Sequence, residues 1–207
     1  EVVSFCSKII TVPIENKKSK WLQIKKLIHN AVDPRRFNSQ KMHFEIRKAI
    51  QEWHPDIVHV DLPMMSQYWR TIGNIPKIIS SVDTISIYAY KNWKAYDNLL
   101  YKAMWYWLYK QRQWIERTYY PHYDACTLVS EEDKTSLKKH CPDLHIEVIP
   151  NGVDVEYFDK NKSDGRSSGN IMSIGVFGGM DFPPNAEAVM FFISEIYPLI
   201  KETINDI

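Results

Sequence analysis

The sequence predicts an α/β protein built on a doubly wound parallel β-sheet. Short runs of apolar and β-branched residues recur along the chain, several of them next to a turn-forming Pro, Gly or Asp. Such runs are typical of parallel strands buried on both faces, and segments with helical periodicity lie between them. The predicted strands occupy residues 57–60, 77–82, 125–129, 146–149 and 171–177.

Helical patterns fill the intervals between these strands. Apolar residues recur at helical spacing over residues 37–53, and residues 64–72 suit a short crossover. Residues 91–119 form one long segment without Pro or Gly. Ser130 and the three acids after it predict a helix start, because serine caps a first turn and acids there oppose the helix dipole. A last helical pattern begins at Pro184.

A polar segment at residues 160–170, KNKSDGRSSGN, predicts a linker. We therefore expect a first domain over residues 1–150, a linker at residues 151–170, and the incomplete start of a second domain at residues 171–207. Glu1 opens directly into an apolar run, and the last residues continue a helical pattern without a stop signal. Both features favour a chain that is cut at both ends.

The composition is that of an ordinary globular protein, with 44% hydrophobic and 25% charged residues among 207. Cys6, Cys126 and Cys141 have no metal-like spacing, which favours reduced thiols and a cytoplasmic location. No apolar stretch approaches the roughly 18 residues that span a bilayer. Residues 1–50 hold eleven Lys and Arg against four Asp and Glu, so either an anionic partner or a solvated basic face lies there.

Two aspartates follow predicted strands, where ligands of open α/β sheets bind. Asp61 ends the first strand and Asp83 ends the second. Side by side, the two carboxylates would orient an acceptor hydroxyl or take its proton. The alternative is that each aspartate caps the next turn. His59 alternates with Asp61 along the strand, although a lone strand histidine is more often packed than catalytic.

Two further segments carry candidate binding groups. Gly178 and Gly179 stand between a predicted strand and helix, where backbone N–H groups approach a phosphate or simply form a tight turn. Residues 91–119 hold four tryptophans among six Lys and Arg, a composition that suits a membrane interface, stacked sugar rings or an aromatic core. No DxD motif occurs, so no metal is expected.

Two longer motifs carry a family resemblance. Residues 127–133 read TLVSEED and residues 147–154 read EVIPNGVD, a combination that resembles the group 1, family 4 glycosyltransferases of the GT-B fold. DIVHVDLP at residues 56–63 and FGGMDFPPNAEAV at residues 177–189 resemble a branch that serves bacterial exopolysaccharide synthesis. Glu116 matches a glutamate common in the helix before the VSE strand.

The resemblance implies two Rossmann-like domains and transfer of a sugar, with retained configuration, from a nucleotide-sugar donor to a lipid-linked or polysaccharide acceptor. It implies no metal or cofactor, and a location in the cytoplasm at the inner face of the cell membrane. It places Asp83 at the transferred sugar. It also implies roles for three further groups of residues. Gly178, Gly179 and Asp181 would lie on the donor side, and Asn151, Gly152 and Asp154 would form the hinge between the domains. Asp61 and Glu116 would lie on the acceptor side.

The chain departs from the family pattern in three ways. Val82 stands where a histidine often lies, the glycine-rich loop of the first strand is missing, and much of the donor domain would lie beyond Ile207. We therefore expect this chain to be inactive alone. The alternative is a non-catalytic module that docks on membrane or polysaccharide through the basic N-terminal stretch and the tryptophan-rich segment. No helix-turn-helix, zinc-finger or RRM signature supports nucleic-acid binding.

Overall fold

The computed structural model of the protein describes residues 5–13, 33–159, 174–181 and 183–204. The chain divides into two compact units, Glu1–Gly152 and Val153–Ile207. The first unit holds a β-sheet with its flanking helices, and the described part of the second unit is mainly helical.

Four strands of the first unit form one sheet, in the order β1-β2-β3-β4, and every neighbouring pair is parallel. Each strand pairs with the next one in sequence, so the chain crosses the sheet in one direction. The predicted α/β class with a parallel sheet is confirmed. The strands are Val58–Asp61 (β1), Lys77–Val82 (β2), Ala125–Leu128 (β3) and Ile146–Val148 (β4).

The two faces of the sheet differ in character because side chains alternate along each strand. One face carries a buried apolar row across all four strands, which consists of Val60, Ile79, Cys126 and Ile146. The other carries a polar row in register, which consists of Asp61, Ser80, Thr127 and Glu147. Within that row the Thr127 hydroxyl donates to Ser80 Oγ at 3.0 Å. The hydrophobic core therefore lies on one face of the sheet.

The crossover helices follow the predicted pattern. Helix α1 spans Gln40–Trp53 and begins at Ser39, whose side chain accepts a hydrogen bond from the Met42 N–H. Between β1 and β2 lie a 3₁₀ segment, Pro63–Tyr68, and the single turn of α2, Trp69–Ile72. Helix α5, Glu131–Lys138, connects β3 to β4 and begins at Ser130 as predicted.

The single long helix predicted over residues 91–119 is wrong. The structure has two helices, α3 at Ile85–Ala95 and α4 at Leu99–Tyr119, which pack against each other as a hairpin. The break occurs because the Asn98 side chain accepts hydrogen bonds from the Leu100 and Tyr101 N–H groups and so caps a new helix. We call residues 85–119 the aromatic hairpin.

In the second unit, α6 (Pro183–Phe191) continues through a π-helical segment, Phe192–Ile196, into α7 (Tyr197–Thr203). At the end of this segment the Tyr197 N–H donates to the Phe192 carbonyl, five residues back, and Pro198, which has no N–H, follows directly.

The fifth predicted strand is not seen where the structure describes it. Residues 174–177 are not in a strand, while residues 171–173 lie outside the described part of the chain. A strand requires a neighbour to pair its backbone groups, and the described residues of this unit supply none.

Candidate functional site

The carboxyl edge of the sheet brings Asp61 and Asp83 to the ends of neighbouring strands. Asp61 is in register with Ser80 of β2, and the next residue, Leu62, donates its N–H to the Ser80 carbonyl at 2.9 Å. Asp83 follows β2 directly, and both aspartates are exposed. The two carboxylates therefore lie at the carboxyl edge of the sheet, which is the edge where ligands of open α/β sheets bind.

The turn before Asp83 holds an unusual backbone. Val82 has a φ of 59°, in the left-handed region that β-branched residues rarely adopt. The Asp83 N–H donates to the Ser81 carbonyl at 2.6 Å across Val82, which is the bond of a γ-turn, and the register of β2 shifts between Ser80 and Val82. Such a conformation costs on the order of 1–3 kcal/mol and persists only where its surroundings hold it.

Buried hydrogen bonds hold this turn in place. The Ser81 hydroxyl donates to the Asp83 carbonyl at 2.8 Å and also bonds to the Tyr120 hydroxyl at 2.8 Å. Tyr120 is fully buried, and burial raises the pKa of its phenol well above the ordinary value, so it remains a neutral partner. The Val129 N–H donates to the Val82 carbonyl at 3.0 Å. Asp83 is thus presented by a rigid turn.

A second set of bonds ties the residue after Asp83 to α5. The Thr84 N–H donates to Asp133 Oδ1 at 2.8 Å, and the Thr84 hydroxyl donates to the Asp133 carbonyl at 2.8 Å. Asp133 is also joined to Ser130, whose hydroxyl donates to Asp133 Oδ2 and accepts from the Asp133 N–H. Sequence reasoning found the Ser130 cap but missed Asp133 as an anchor of the site. The sequence signal that could have revealed this role is the position of the acid, three residues after the Ser130 cap.

The pKa of the Asp83 carboxyl is raised, chiefly by partial desolvation and further by the nearby Asp133 carboxylate. Although Asp83 is exposed at the surface, its carboxyl is therefore more readily protonated than an ordinary aspartate. An acid with this property holds or accepts a proton closer to neutral pH.

We expect Asp83→Asn to make the protein more stable at pH 7. The native state binds the Asp83 proton more tightly than the unfolded chain does, so stability falls as pH rises from the ordinary value of 3.8 through the raised native value. The asparagine variant should therefore be more stable than the wild type at pH values above this range, and the difference in stability should vanish below it. Urea titrations at pH 7 and at pH 3.5 measure the difference. A loss of stability at pH 7 contradicts the assignment.

Glu116 lies inside the protein rather than on its surface. Its side chain is 0% exposed, and one carboxylate oxygen accepts from the Ser86 N–H at 3.1 Å. The other oxygen lies 2.6 Å from His140 Nε2, which is also buried. In this structure Glu116 fastens the first turn of α3 and has no surface with which to contact an acceptor.

The predicted hinge residues lie where the two units meet in sequence. Asn151 and Gly152 are exposed. Asp154 accepts backbone hydrogen bonds from Glu156 at 3.0 Å and Tyr157 at 2.9 Å, so its side chain caps a turn. Their role as a hinge stays a prediction.

The predicted donor-side residues belong to the second unit. Asn185 donates its side-chain amide to the Gly179 carbonyl at 3.1 Å. A β-carbon added at Gly178 would lie 2.9 Å from the same amide, so this glycine allows Asn185 to reach the loop. Asp181 is exposed. The contacts account for a tight turn, and a donor role for Gly178, Gly179 and Asp181 stays a prediction.

The aromatic hairpin combines ring contacts between its two helices with an exposed apolar stripe. Ring contacts join the two helices, with Trp93 and Tyr106 centroids 5.1 Å apart and Tyr88 and Trp105 centroids 5.6 Å apart. The exposed stripe follows the spacing of one helix face of α4 and consists of Leu100, Met104, Trp107 and Trp114. The aromatic residues of this segment therefore pack mainly against one another, and none of its four tryptophans is part of the hydrophobic core.

Among the described residues, no group of His, Cys, Asp and Glu side chains is arranged to hold a metal ion. Within the same part of the chain, no helix has both the length and the apolar character that crossing a membrane requires.

Comparison with known proteins gives one match. The model of a family described as Glycosyltransferase Family 4 matches residues 5–157, which is well over half of the chain and includes the β-sheet, the Asp83 turn and Asp133. No curated protein and no solved structure matches the chain significantly.

Proposed function

The chain belongs to glycosyltransferase family 4, and on that premise we propose that it serves the transfer of a sugar from a nucleotide-sugar donor to a lipid-linked or polysaccharide acceptor. The observation that supports this most is Asp83, an exposed acid at the carboxyl edge of a parallel sheet on a turn fixed by buried hydrogen bonds. We place the reaction in the cytoplasm, at the inner face of the cell membrane.

In the proposed reaction the bond between the anomeric carbon and the donor diphosphate oxygen breaks, and the nucleoside diphosphate leaves. The acceptor hydroxyl oxygen bonds to that carbon on the same face, and its proton passes to the departing diphosphate. Asp83 positions the transferred sugar or the attacking hydroxyl. Asp61 borders the acceptor side of the same edge. The nucleotide sugar is a substrate, and the proposal assigns no metal and no cofactor.

Stabilisation of the departing diphosphate is assigned to backbone N–H groups near Gly178 and Gly179. The first helical residues after this loop, Pro183 and Pro184, have no N–H. The loop, rather than the first turn of α6, is therefore the source of donors that we assign to the phosphates.

The test is a transfer assay with radiolabelled UDP- and GDP-sugars and a membrane lipid extract as acceptor. We expect product from one class of nucleotide by a form extended at the carboxyl end, and none by the 207-residue chain alone. Isothermal titration of the same nucleotides checks for the donor site in both forms. A well-folded extended form that neither binds a nucleotide sugar nor makes product overturns the proposal.

A second candidate function, a non-catalytic docking module, is favoured by the outer stripe of the aromatic hairpin. Leu100 is 81% exposed, and Trp107 and Met104 lie on the same face. Helix α4 has 21 residues and so a length of roughly 30 Å. Apolar and aromatic side chains with neighbouring lysines are typical of helices that lie in a membrane interface. The same surface would hold the enzyme beside a lipid-linked acceptor.

We expect the double variant Leu100→Ala and Trp107→Ala to weaken binding to phosphatidylglycerol vesicles at least tenfold. Burial of each side chain in the interface contributes about 1.5–3 kcal/mol, and 1.4 kcal/mol corresponds to a factor of ten. Co-sedimentation with the vesicles measures the binding. Trp53→Ala, an exposed tryptophan of α1, is the matched control and should bind as the wild type does. Equal binding by all three proteins excludes the hairpin as the membrane surface.

A further inference from the structure

A groove of about 400 Å³ lies between α3 and α5. Tyr90 and Lys91 line it from α3, and Glu131, Glu132, Thr135 and Ser136 line it from α5. Its volume falls in the range of about 300–1,000 Å³ that is typical of small-molecule sites. None of the roles assigned above uses these side chains, so the groove is a separate feature of the first unit.

The two helices that line the groove are tied together next to Asp83. Helix α3 starts two residues after Asp83, and the hydrogen bond from the Thr84 N–H to Asp133 fixes this start against the first turn of α5. The lining residues nearest to this junction in sequence are Ile87, four positions after Asp83, and Glu131, two positions before Asp133. This proximity in sequence is the reason to consider a chain-like ligand with one unit at Asp83 and the next in the groove.

The charges that line the groove balance. Glu131 and Glu132 oppose Lys91 and Lys139, and the Lys91 ammonium lies 2.8 Å from Glu132 Oε1. A phosphate or another anion would meet as much negative as positive charge there. The electrostatics therefore favour a neutral ligand over an anionic one.

The hydrogen-bonding and aromatic groups of the lining suit a polyhydroxylated ligand. Thr135 and Ser136 provide hydroxyls that both donate and accept, and Glu131 provides a carboxylate that accepts from ligand hydroxyls. Tyr90 is 40% exposed and provides an aromatic surface for the apolar C–H face of a sugar ring. Polar groups and an aromatic surface in one groove match the two kinds of surface that a sugar presents.

We propose that the groove between α3 and α5 binds a neutral sugar residue of the acceptor, adjacent to the residue that receives the transferred sugar. This inference rests on the proposed transferase function but concerns binding alone. Lys91 and Glu132, which both line the groove, form an exposed ion pair at 2.8 Å that joins α3 to α5.

The test is NMR titration of the ¹⁵N-labelled 207-residue chain with three neutral trisaccharides: maltotriose, cellotriose and N,N′,N″-triacetylchitotriose. We expect at least one of them to shift the backbone amides of residues 87–91 and 131–139 at millimolar concentration. The double variant Glu131→Gln and Thr135→Ala should weaken that binding at least fivefold. Glu52→Gln, on α1, is the matched control and should leave it unchanged.

Two results overturn the proposal. One is the absence of shifts in the groove with all three trisaccharides at tens of millimolar, a range that detects even a very weak site. The other is an equal response of the groove amides to inorganic phosphate. The titration requires no donor, so groove binding without sugar transfer would leave this inference standing while the proposed function fails. If the enzyme transfers sugar but no trisaccharide shifts the groove amides, the proposed function stands and this inference fails.

Discussion

Glu116→Ala is expected to lower the free energy of unfolding by about 2–6 kcal/mol, because two buried groups lose their hydrogen-bond partner at a cost of about 1–3 kcal/mol each. The Glu116 carboxylate is fully buried between the Ser86 N–H at 3.1 Å and His140 Nε2 at 2.6 Å. Alanine leaves both groups buried without that acceptor. A single domain has only about 5–15 kcal/mol of stability in total, so the variant should be close to unfolding.

A second His–Glu pair in the same unit provides the control. His145 and Glu147 lie 3.0 Å apart, with side chains 62% and 59% exposed. Glu147→Ala should change stability by no more than about 1 kcal/mol, because water screens exposed pairs. Urea denaturation followed by circular dichroism compares the variants. Equal losses for Glu116→Ala and Glu147→Ala would show that burial does not set the strength of the inner pair.

The sequence predicted those parts of the fold that depend on local patterns. Four strands, the Ser130 cap and the crossover before β2 follow from apolar runs and capping residues within a few positions of each other. The break at Asn98 was also locally encoded, but the absence of Pro and Gly nearby obscured it. An asparagine that caps a helix is a weaker stop signal than either of those residues.

The contacts that fix the candidate site could not be predicted in this way. Thr84 and Asp133 are 49 positions apart, and Ser86 and Glu116 are 30 apart. Nothing in the local pattern around one member specifies the other, because the fold alone brings them together. The same holds for Glu116, whose acidic side chain predicts exposure until His140 and the Ser86 N–H are placed beside it.

These long-range contacts have one effect in common. Ser81 bonds to Tyr120, Thr84 bonds to Asp133, and Ser86 bonds to Glu116. Three of the six residues from 81 to 86 are therefore anchored to the ends of α4 and α5 by buried hydrogen bonds. Asp83 lies in the middle of this anchored stretch with its side chain exposed. Such support is what keeps a functional side chain in a fixed position and maintains the strained φ of Val82.

If this anchoring serves the transfer step, Asp83→Asn should lower the turnover of the active enzyme about 100-fold, as expected for a lost or misplaced positioning group. Donor affinity should change less than about twofold, because the groups that hold the donor diphosphate are assigned to the loop at Gly178 and Gly179 and the amide has nearly the same shape as the carboxylate. Steady-state kinetics give the turnover number, and isothermal titration gives the donor affinity.

Asp56→Asn is the matched control for that measurement, since Asp56 lies before the amino end of β1 and is exposed. It should leave both quantities unchanged. Equal turnover by wild type and Asp83→Asn would remove Asp83 from the reaction and leave the rigid turn as a structural feature. Loss of donor binding together with turnover would instead assign Asp83 to the donor. We expect Asp83→Asn to lose turnover, keep donor affinity and be more stable than the wild type at pH 7. These results together are expected of an acid whose ionised form lowers stability but serves catalysis.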